Sequence, residues 1–330
     1  LKYIHKFSKK DKLEVSGYYS NDSFSITSDS LQTYSNRLLS AKWSHTFNDK
    51  NSGDLILANS EYKFNIEFDE NSINDFELDY RIIETELKLK MKYLPNKQHK
   101  IEYGISNKLF NVSPGNIKPK GNQSIISVFN SPKEKGIESA VFISDNFELN
   151  KKLQLNLGLR FSLFTALGPS IQNVYDENAP KSESSIIEVK NFANNEVVKT
   201  YGGPEIRSSL RYSLTPSFSI KAGFNNTYQY IHTLSNNTTA SPTDTWRLSN
   251  FNIKPQQANQ YSLGLFKNIN GNEYEFSLES YYKTTKNILD YKVGANLLLN
   301  QNIESDILQG NGKAYGVEFL IKKNKGREGK

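Results

Sequence analysis

The amino-acid sequence predicts an all-β protein, and within that class a transmembrane antiparallel up-and-down β-barrel. Three observations carry the prediction. Apolar and polar residues alternate with a period of two over runs of about eleven residues, twice the usual strand length of roughly 5–6. Short and long connections between these runs alternate along the chain. The composition is that of a large, aromatic-rich, polar β protein: 330 residues with 36% apolar residues, 12% aromatic residues and 38 Asn, a residue of turns and loops.

The composition also excludes other classes. The mean hydropathy is -0.62 and no run of 18 uncharged apolar residues exists, so no helix of this sequence crosses a membrane. Zero Cys excludes a disulfide scaffold, a thiolate metal site and a cysteine nucleophile. The 19 Tyr, 19 Phe and 2 Trp are too many aromatics for a disordered chain.

In chain order, strands are expected over 1–8, 13–22, 37–47, 54–68, 76–94, 98–110, 138–149, 153–164, 205–214, 218–230, 257–268, 273–286 and 312–323. The first begins at once, since Leu1-Lys2-Tyr3-Ile4-His5-Lys6-Phe7 already alternates. The fifth is the clearest test of pattern against propensity. Ile83, Thr85, Leu87, Leu89, Met91 and Tyr93 alternate with Glu84, Glu86, Lys88, Lys90 and Lys92. Glu, Leu, Lys and Met favour helices, yet a helix would scatter those charges around its whole circumference, so the strand wins. The eighth sets Leu153, Leu155, Leu157, Leu159, Phe161 and Leu163 against Gln154, Asn156, Gly158, Arg160 and Ser162. The twelfth sets Tyr274, Phe276, Leu278, Ser280 and Tyr282 against Glu273, Glu275, Ser277 and Glu279. Strands of about 9–11 residues, greasy on one face and charged on the other, are what a tilted barrel wall in lipid requires.

Short turns are expected at 8–12, 48–53, 95–97, 150–152, 215–217 and 269–272, with turn chemistry such as Asn270-Gly271 and Thr215-Pro216-Ser217. Longer connections fill 23–36, 69–75, 111–137, 165–204, 231–256 and 287–311. In a meander this puts all short turns at one end and all long loops at the other, the habit of outer-membrane barrels. A soluble β-sandwich or solenoid has no reason to do so, and no fixed-length repeat is visible. Thirteen strands is an odd number, whereas single-chain bacterial barrels close with an even one. Further strands are therefore expected beyond one or both ends, and the absence of an initiator Met and a signal peptide agrees with a piece of a longer protein.

Little in the chain suggests covalent chemistry. His5, His45, His99 and His232 show no metal-ligand spacing and no accompanying carboxylate cluster. No nucleophile elbow, phosphate loop or His-Glu-x-x-His occurs. The net charge of +6 is spread along the chain, without the basic, aromatic-interleaved stripe that nucleic acid would need. The sequon Asn236-Asn237-Thr238 is expected by chance in so Asn-rich a chain.

Particular motifs narrow the class. Val141-Phe142-Ile143-Ser144-Asp145-Asn146-Phe147, followed by Leu153-Gln154-Leu155-Asn156-Leu157-Gly158-Leu159-Arg160-Phe161, resembles a recurring barrel hairpin of TonB-dependent receptors. Gly203-Pro204-Glu205-Ile206-Arg207, Gln229-Tyr230-Ile231-His232-Thr233-Leu234, Pro242-Thr243-Asp244-Thr245-Trp246, Ile253-Lys254-Pro255-Gln256 and Gly312-Lys313-Ala314-Tyr315-Gly316 resemble forms common in the Bacteroidota members. The resemblance implies that residues 1–330 are part of one outer-membrane barrel, about 13 of roughly 22 strands, with the plug domain and C-terminal strands outside this chain. It implies TonB-dependent uptake of a scarce solute (siderophore, vitamin, glycan or peptide) in a Gram-negative outer membrane. Lipid, the TonB complex acting through the plug, and a surface lipoprotein are the implied partners. No cofactor, metal or nucleic acid is implied.

Within that reading Leu87, Leu89, Leu155, Leu157 and Leu159 are expected to face lipid, and Glu84, Lys88 and Arg160 the lumen. Solute contacts are expected from the long connection 231–256, where His232, Trp246 and Arg247 stand among small polar residues that should expose them. Two other classes of function stay open: a non-transporting barrel that scaffolds a surface complex, and a barrel enzyme, which would need a Ser/His or Asp/His pair on adjacent strands.

Overall fold

The computed structural model describes residues 1–25, 30–70, 72–234, 244–295, 300 and 302–324. Strands dominate it. The wall is one antiparallel sheet with thirteen strands in chain order: β1 (Lys2–Lys6), β2 (Asp11–Phe24), β3 (Ser30–Asn48), β4 (Asn51–Phe68), β5 (Phe76–Tyr93), β6 (His99–Pro119), β8 (Glu134–Asn150), β9 (Leu153–Leu167), β12 (Val197–Thr215), β13 (Phe218–Gln229), β16 (Gln256–Ile269), β17 (Tyr274–Tyr291) and β18 (Ile307–Lys323). A two-residue β7 (Phe129–Asn130) adds to β6. Two hairpins stand apart from the wall, β10 (Ser170–Tyr175) with β11 (Ile186–Phe192) and β14 (Ile231–Leu234) with β15 (Thr245–Leu248). One short helix, α1 (Ile303–Asp306), precedes β18. Every wall strand pairs with its neighbours in sequence order, and β1 and β18 form the two edges.

The strand count and meander agree with the sequence reading. The strand ends do not. β6 runs to Pro119 instead of residue 110, β3 starts at Ser30 instead of 37, and β12 starts at Val197 instead of 205. Much of what reads as long loop is therefore wall. In these extensions apolar residues are sparse, Val112 and Val198 being the ones that reach the buried core, so alternation fades while backbone pairing continues and periodicity under-reads the strand. Residues 26–29 and 235–243 are outside the described set, and with them Pro242, Thr243 and the Asn236-Asn237-Thr238 sequon.

Register sorts the side chains into two faces. Trp43, Leu55, Leu89, Ile105, Val141 and Phe161 lie directly opposite one another across β3, β4, β5, β6, β8 and β9, forming an apolar row on the outward surface. Leu87, Leu157 and Leu159 stand on the same face, each exposed by about half. The opposite face carries Glu86, Lys108 and Glu138 in register across β5, β6 and β8. A cavity of about 930 Å³ spans that face from β5 to β16, so the sheet curves around its polar side. The Asn-Gly turn forms as expected, with Asn270, Gly271 and Asn272 all at positive φ between β16 and β17.

Candidate functional site

The polar face is cross-linked by charge. Lys108 Nζ lies 3.0 Å from Glu84, and Arg160 donates to Glu138 at 2.5 Å and to the buried Glu205. Lys88 sits 5.6 Å above the Phe142 ring. Lys88 and Arg160 line the 930 Å³ cavity with Glu86, Lys108, Glu138 and Glu205, whereas Glu84 lies beside it, held by Lys108.

At the end where the long connections gather, the chain folds inward over this face. β13 stops at Gln229, and Tyr230 turns its ring onto Phe164, with centroids 5.0 Å apart and its hydroxyl 2.7 Å from Ser162 Oγ. Tyr230 and Leu248 pack with Phe110, Val112, Phe164, Ala166 and Val198 into a buried cluster, the main apolar core of the described chain. Burial pushes the Tyr230 hydroxyl up to about 12. The β14–β15 hairpin is clamped by Glu134 at the start of β8, which accepts from Arg247 Nη1 at 2.9 Å and from the Leu248 backbone N–H at 2.6 Å. Tyr201 Oη adds a bond to the Asn250 carbonyl at 2.8 Å. A second cluster of Leu234, Ile253, Ile303 and Ile307 fixes α1 beside the hairpin.

The three residues expected to meet solute are thus on one hairpin, His232 directly opposite Arg247 and Thr233 opposite Trp246. They are not splayed into solvent, and the expectation that their small neighbours expose them is corrected. His232 is 1% exposed, with Nε2 2.8 Å from Ser249 Oγ and Nδ1 without a partner among the described residues. That burial lowers its pKa to about 4, so the ring is neutral at neutral pH. Trp246 packs against the Phe164 cluster, and the Arg247 guanidinium is held by Glu134. One signal for this burial lies in the sequence. His232 and Leu234 alternate on one face of the hairpin and Trp246 and Leu248 on the other, so both of its faces carry side chains that seek burial. Glu134 leaves no such trace, being 113 residues from Arg247.

Beside the clamp lies a cleft of about 260 Å³ between β15, the start of β8, β10 and α1. Ala166, Val198 and Leu248 form its floor, and amides and charges, including Lys133, Arg247, Asn250, Asn302 and Glu304, form its walls. No sequence signal marks it, because it joins four segments far apart in the chain.

Two histidines do acquire carboxylates by strand pairing. His45 Nδ1 lies 2.6 Å from Asp11, and His99 Nδ1 lies 2.6 Å from Asp145. The Asp11–His45 pair and His99 sit near the short turns, whereas Asp145 stands further along the wall, opposite Ile101 and Leu157 on the outward face. The hydroxyl at the first, Ser8 Oγ, donates to Asp11 and not to the imidazole, so the order nucleophile, base, acid is not met. Among the described residues no group of three or more His, Asp or Glu is placed to hold a metal.

Comparison with known families decides the class. The family model described as "TonB dependent receptor-like, beta-barrel" matches residues 3–324. The chain belongs to this family. Solved structures agree in fold. The chain is similar to the alcaligin outer-membrane receptor FauA from Bordetella pertussis, with a TM-score of 0.58 at 11% identity over 97% of this chain and 48% of that one. It is similar to the ferric-catecholate import receptor Fiu from E. coli, with a TM-score of 0.60 at 11% identity over 98% and 54%. It is also similar to BauA, the ferric preacinetobactin receptor of Acinetobacter baumannii, with a TM-score of 0.59 at 12% identity over 97% and 50%. The chain spans about half the length of each of these receptors. Comparison with curated protein sequences gives no match.

Proposed function

We propose that this TonB-dependent receptor-like barrel chain is part of the wall and mouth of a receptor that takes up a scarce solute across the outer membrane of a Gram-negative bacterium. The observation that carries the reading is the two-faced meander, apolar outside and wet inside, whose long connections gather at one end and fold inward. Lipid meets the outward row, and Glu84, Lys88 and Arg160 belong to the lumen wall. The inner-membrane TonB complex supplies the energy, acting on a plug domain outside these residues. The β14–β15 hairpin organises the solute site. Arg247 and Trp246 shape the mouth, and His232 supports them from beneath. Ferric chelates, the cargo for which Fiu and BauA are named, are the first solutes to try.

The test is uptake in cells. A receptor whose residues 231–248 are replaced by a Gly/Ser linker should reach the outer membrane at wild-type abundance and lose growth on the limiting solute. Full growth with that receptor would exclude the hairpin from solute handling. A second reading, docking of a surface lipoprotein on the mouth, is favoured by Ile171 and Ile187 on β10–β11, each 68% exposed. Crosslinking from position 187 in cells would separate the two, since the scaffold reading requires a crosslinked protein and the transport reading does not.

A further inference from the structure

Charge is spread unevenly around the short-turn end of the wall. The four short connections between β1 and β9, residues 7–10, 49–50, 94–98 and 151–152, carry Lys9, Lys10, Lys50, Lys97, Lys151 and Lys152 against Asp49 as the sole acid. The other two short turns, 216–217 and 270–273, hold no lysine. All six lysines are exposed, and among the described residues none of their ammonium groups has a hydrogen bond, an ion pair or an aromatic ring.

Immediately above these turns the outward face carries rings. Tyr3, Phe7, Trp43, Phe47 and Tyr93 are each more than a third exposed. Three of the four histidines of the chain stand among them. His5 lies 4.6 Å from Phe7, His45 4.6 Å from Phe47 and His99 4.2 Å from Phe147, centroid to centroid. Two of these histidines also occupy the outward carboxylates towards this end. Asp11 faces His45 Nδ1 and accepts from Ser8 Oγ and Trp43 Nε1. Asp145 turns one oxygen to His99 Nδ1, and its other oxygen is closed off from solvent. The remaining carboxylates beside these turns, Glu14, Asp54, Glu102 and Glu148, carry the inward parity. The outward side of the rim therefore pairs free cations with an aromatic belt, and the belt runs on into the apolar row. Rings of this kind sit at the headgroup level of a membrane, and short turns of outer-membrane barrels lie on the periplasmic side. Clusters of about 4–8 lysines beside a membrane surface attract anionic lipid.

We propose that the β1–β9 sector of the rim binds anionic phospholipid headgroups of the periplasmic leaflet, with the six turn lysines meeting the phosphates and the aromatic belt fixing their depth. The proposal rests on the reading that the outward row meets lipid. An acidic periplasmic protein would satisfy the lysines and leave the belt unexplained, whereas a phospholipid satisfies both.

The test titrates the full-length receptor in detergent, at low salt, with dioleoylphosphatidylglycerol or with net-neutral dioleoylphosphatidylcholine, and counts retained lipid by native mass spectrometry. Phosphatidylglycerol should be held more tightly by at least about fivefold, the effect of a single lysine near a charged surface. Gln at all six lysine positions should bring it down to the level of phosphatidylcholine, and Arg at all six should keep the preference. A preference unchanged in the Gln variant overturns the proposal. Displacement of the lipid by millimolar glycerol 3-phosphate would assign the lysines to a soluble phosphate and overturns it too. Equal retention of the two lipids sinks the rim site and leaves the lipid-facing wall standing, and a crosslink from position 97 to a periplasmic protein in cells would then give the rim to that protein. Retention of neither lipid sinks the wall reading itself.

Discussion

An arginine placed on the outward face of β9 gives the sharpest test of which side of the wall meets lipid. The outward residues of this strand run from Leu153 to Leu163. Ten steps at about 3.4 Å, tilted by about 40°, give an apolar band of roughly 25 Å, the height a membrane barrel requires. The midpoint falls at Gly158, so Leu157 and Leu159 each lie within about 3 Å of the bilayer centre. A charge there costs about 2–4 kcal/mol. The two positions differ in their neighbours. Leu159 stands between Ile143 and Ile206, whereas Leu157 stands opposite Asp145. Leu159→Arg should therefore fall at the upper end of that range. Leu157→Arg should recover about 1 kcal/mol from the facing carboxylate. Asn156→Arg, which points into the large cavity, should stay within about 0.5 kcal/mol of wild type. Reversible urea unfolding of the full receptor in phosphatidylcholine vesicles reads all three. If Asn156→Arg were the damaging change and Leu159→Arg harmless, the faces would be inverted. If Leu157→Arg cost as much as Leu159→Arg, the register placing Asp145 beside it would be wrong.

Three further outcomes concern the mouth, and native-state hydrogen exchange of amides 231–234 and 245–248 in the full receptor reads each. Glu134→Ala strands the largely buried Arg247 and frees the Leu248 N–H, so local opening should become easier by about 3 kcal/mol, more than a hundredfold in exchange rate; unchanged exchange would remove Glu134 as the clamp. Phe164→Ala empties a fully buried site under Tyr230 and should cost about 3–4 kcal/mol in the same measurement; a loss below 1 kcal/mol would mean the hairpin does not lean on that ring. For His232 burial favours the neutral ring, lowering its pKa from 6.5 to about 4, so hairpin stability should be flat above pH 6.5 and fall as the pH drops from 6.5 towards 4, by about 3 kcal/mol in all. A variant with His232→Gln should lose that pH dependence; a profile identical to wild type would show that another group titrates.

The wall was legible in the sequence wherever one face is apolar and the other charged. The apolar set of β5 and that of β9 could be read residue by residue, because each alternate side chain of such a strand meets a different solvent. The same logic explains the misplaced ends. From Asn111 to Pro119 the ladder of β6 continues with only Val112 and Ile117 as apolar aliphatic residues, too few to announce it. The mouth was legible in location and not in arrangement. His232, Trp246 and Arg247 do share one element, but its strands are four residues each, too short for periodicity to declare, and what buries them comes from β6, β8, β9 and β12. A clamp such as Glu134 with Arg247 is a property of topology, and topology is not written in any one window of residues.

The register rows make the two ends of the molecule unequal as places where a gene can change length. β3 and β4 are joined through Asp49 and Lys50 alone, and the pairing that sets Trp43 against Leu55 continues through Leu89 and Ile105 to Phe161. Losing one codon from such a turn leaves no slack to absorb it, so the following strand must either swap its wet and greasy sides or slide against both neighbours. Codons added near β10–β11 or β14–β15 meet no such parity rule, since those hairpins are outside the ladder. Insertions and deletions should therefore collect at the mouth, leaving the receptor free to vary what it recognises while its wall changes only by substitution.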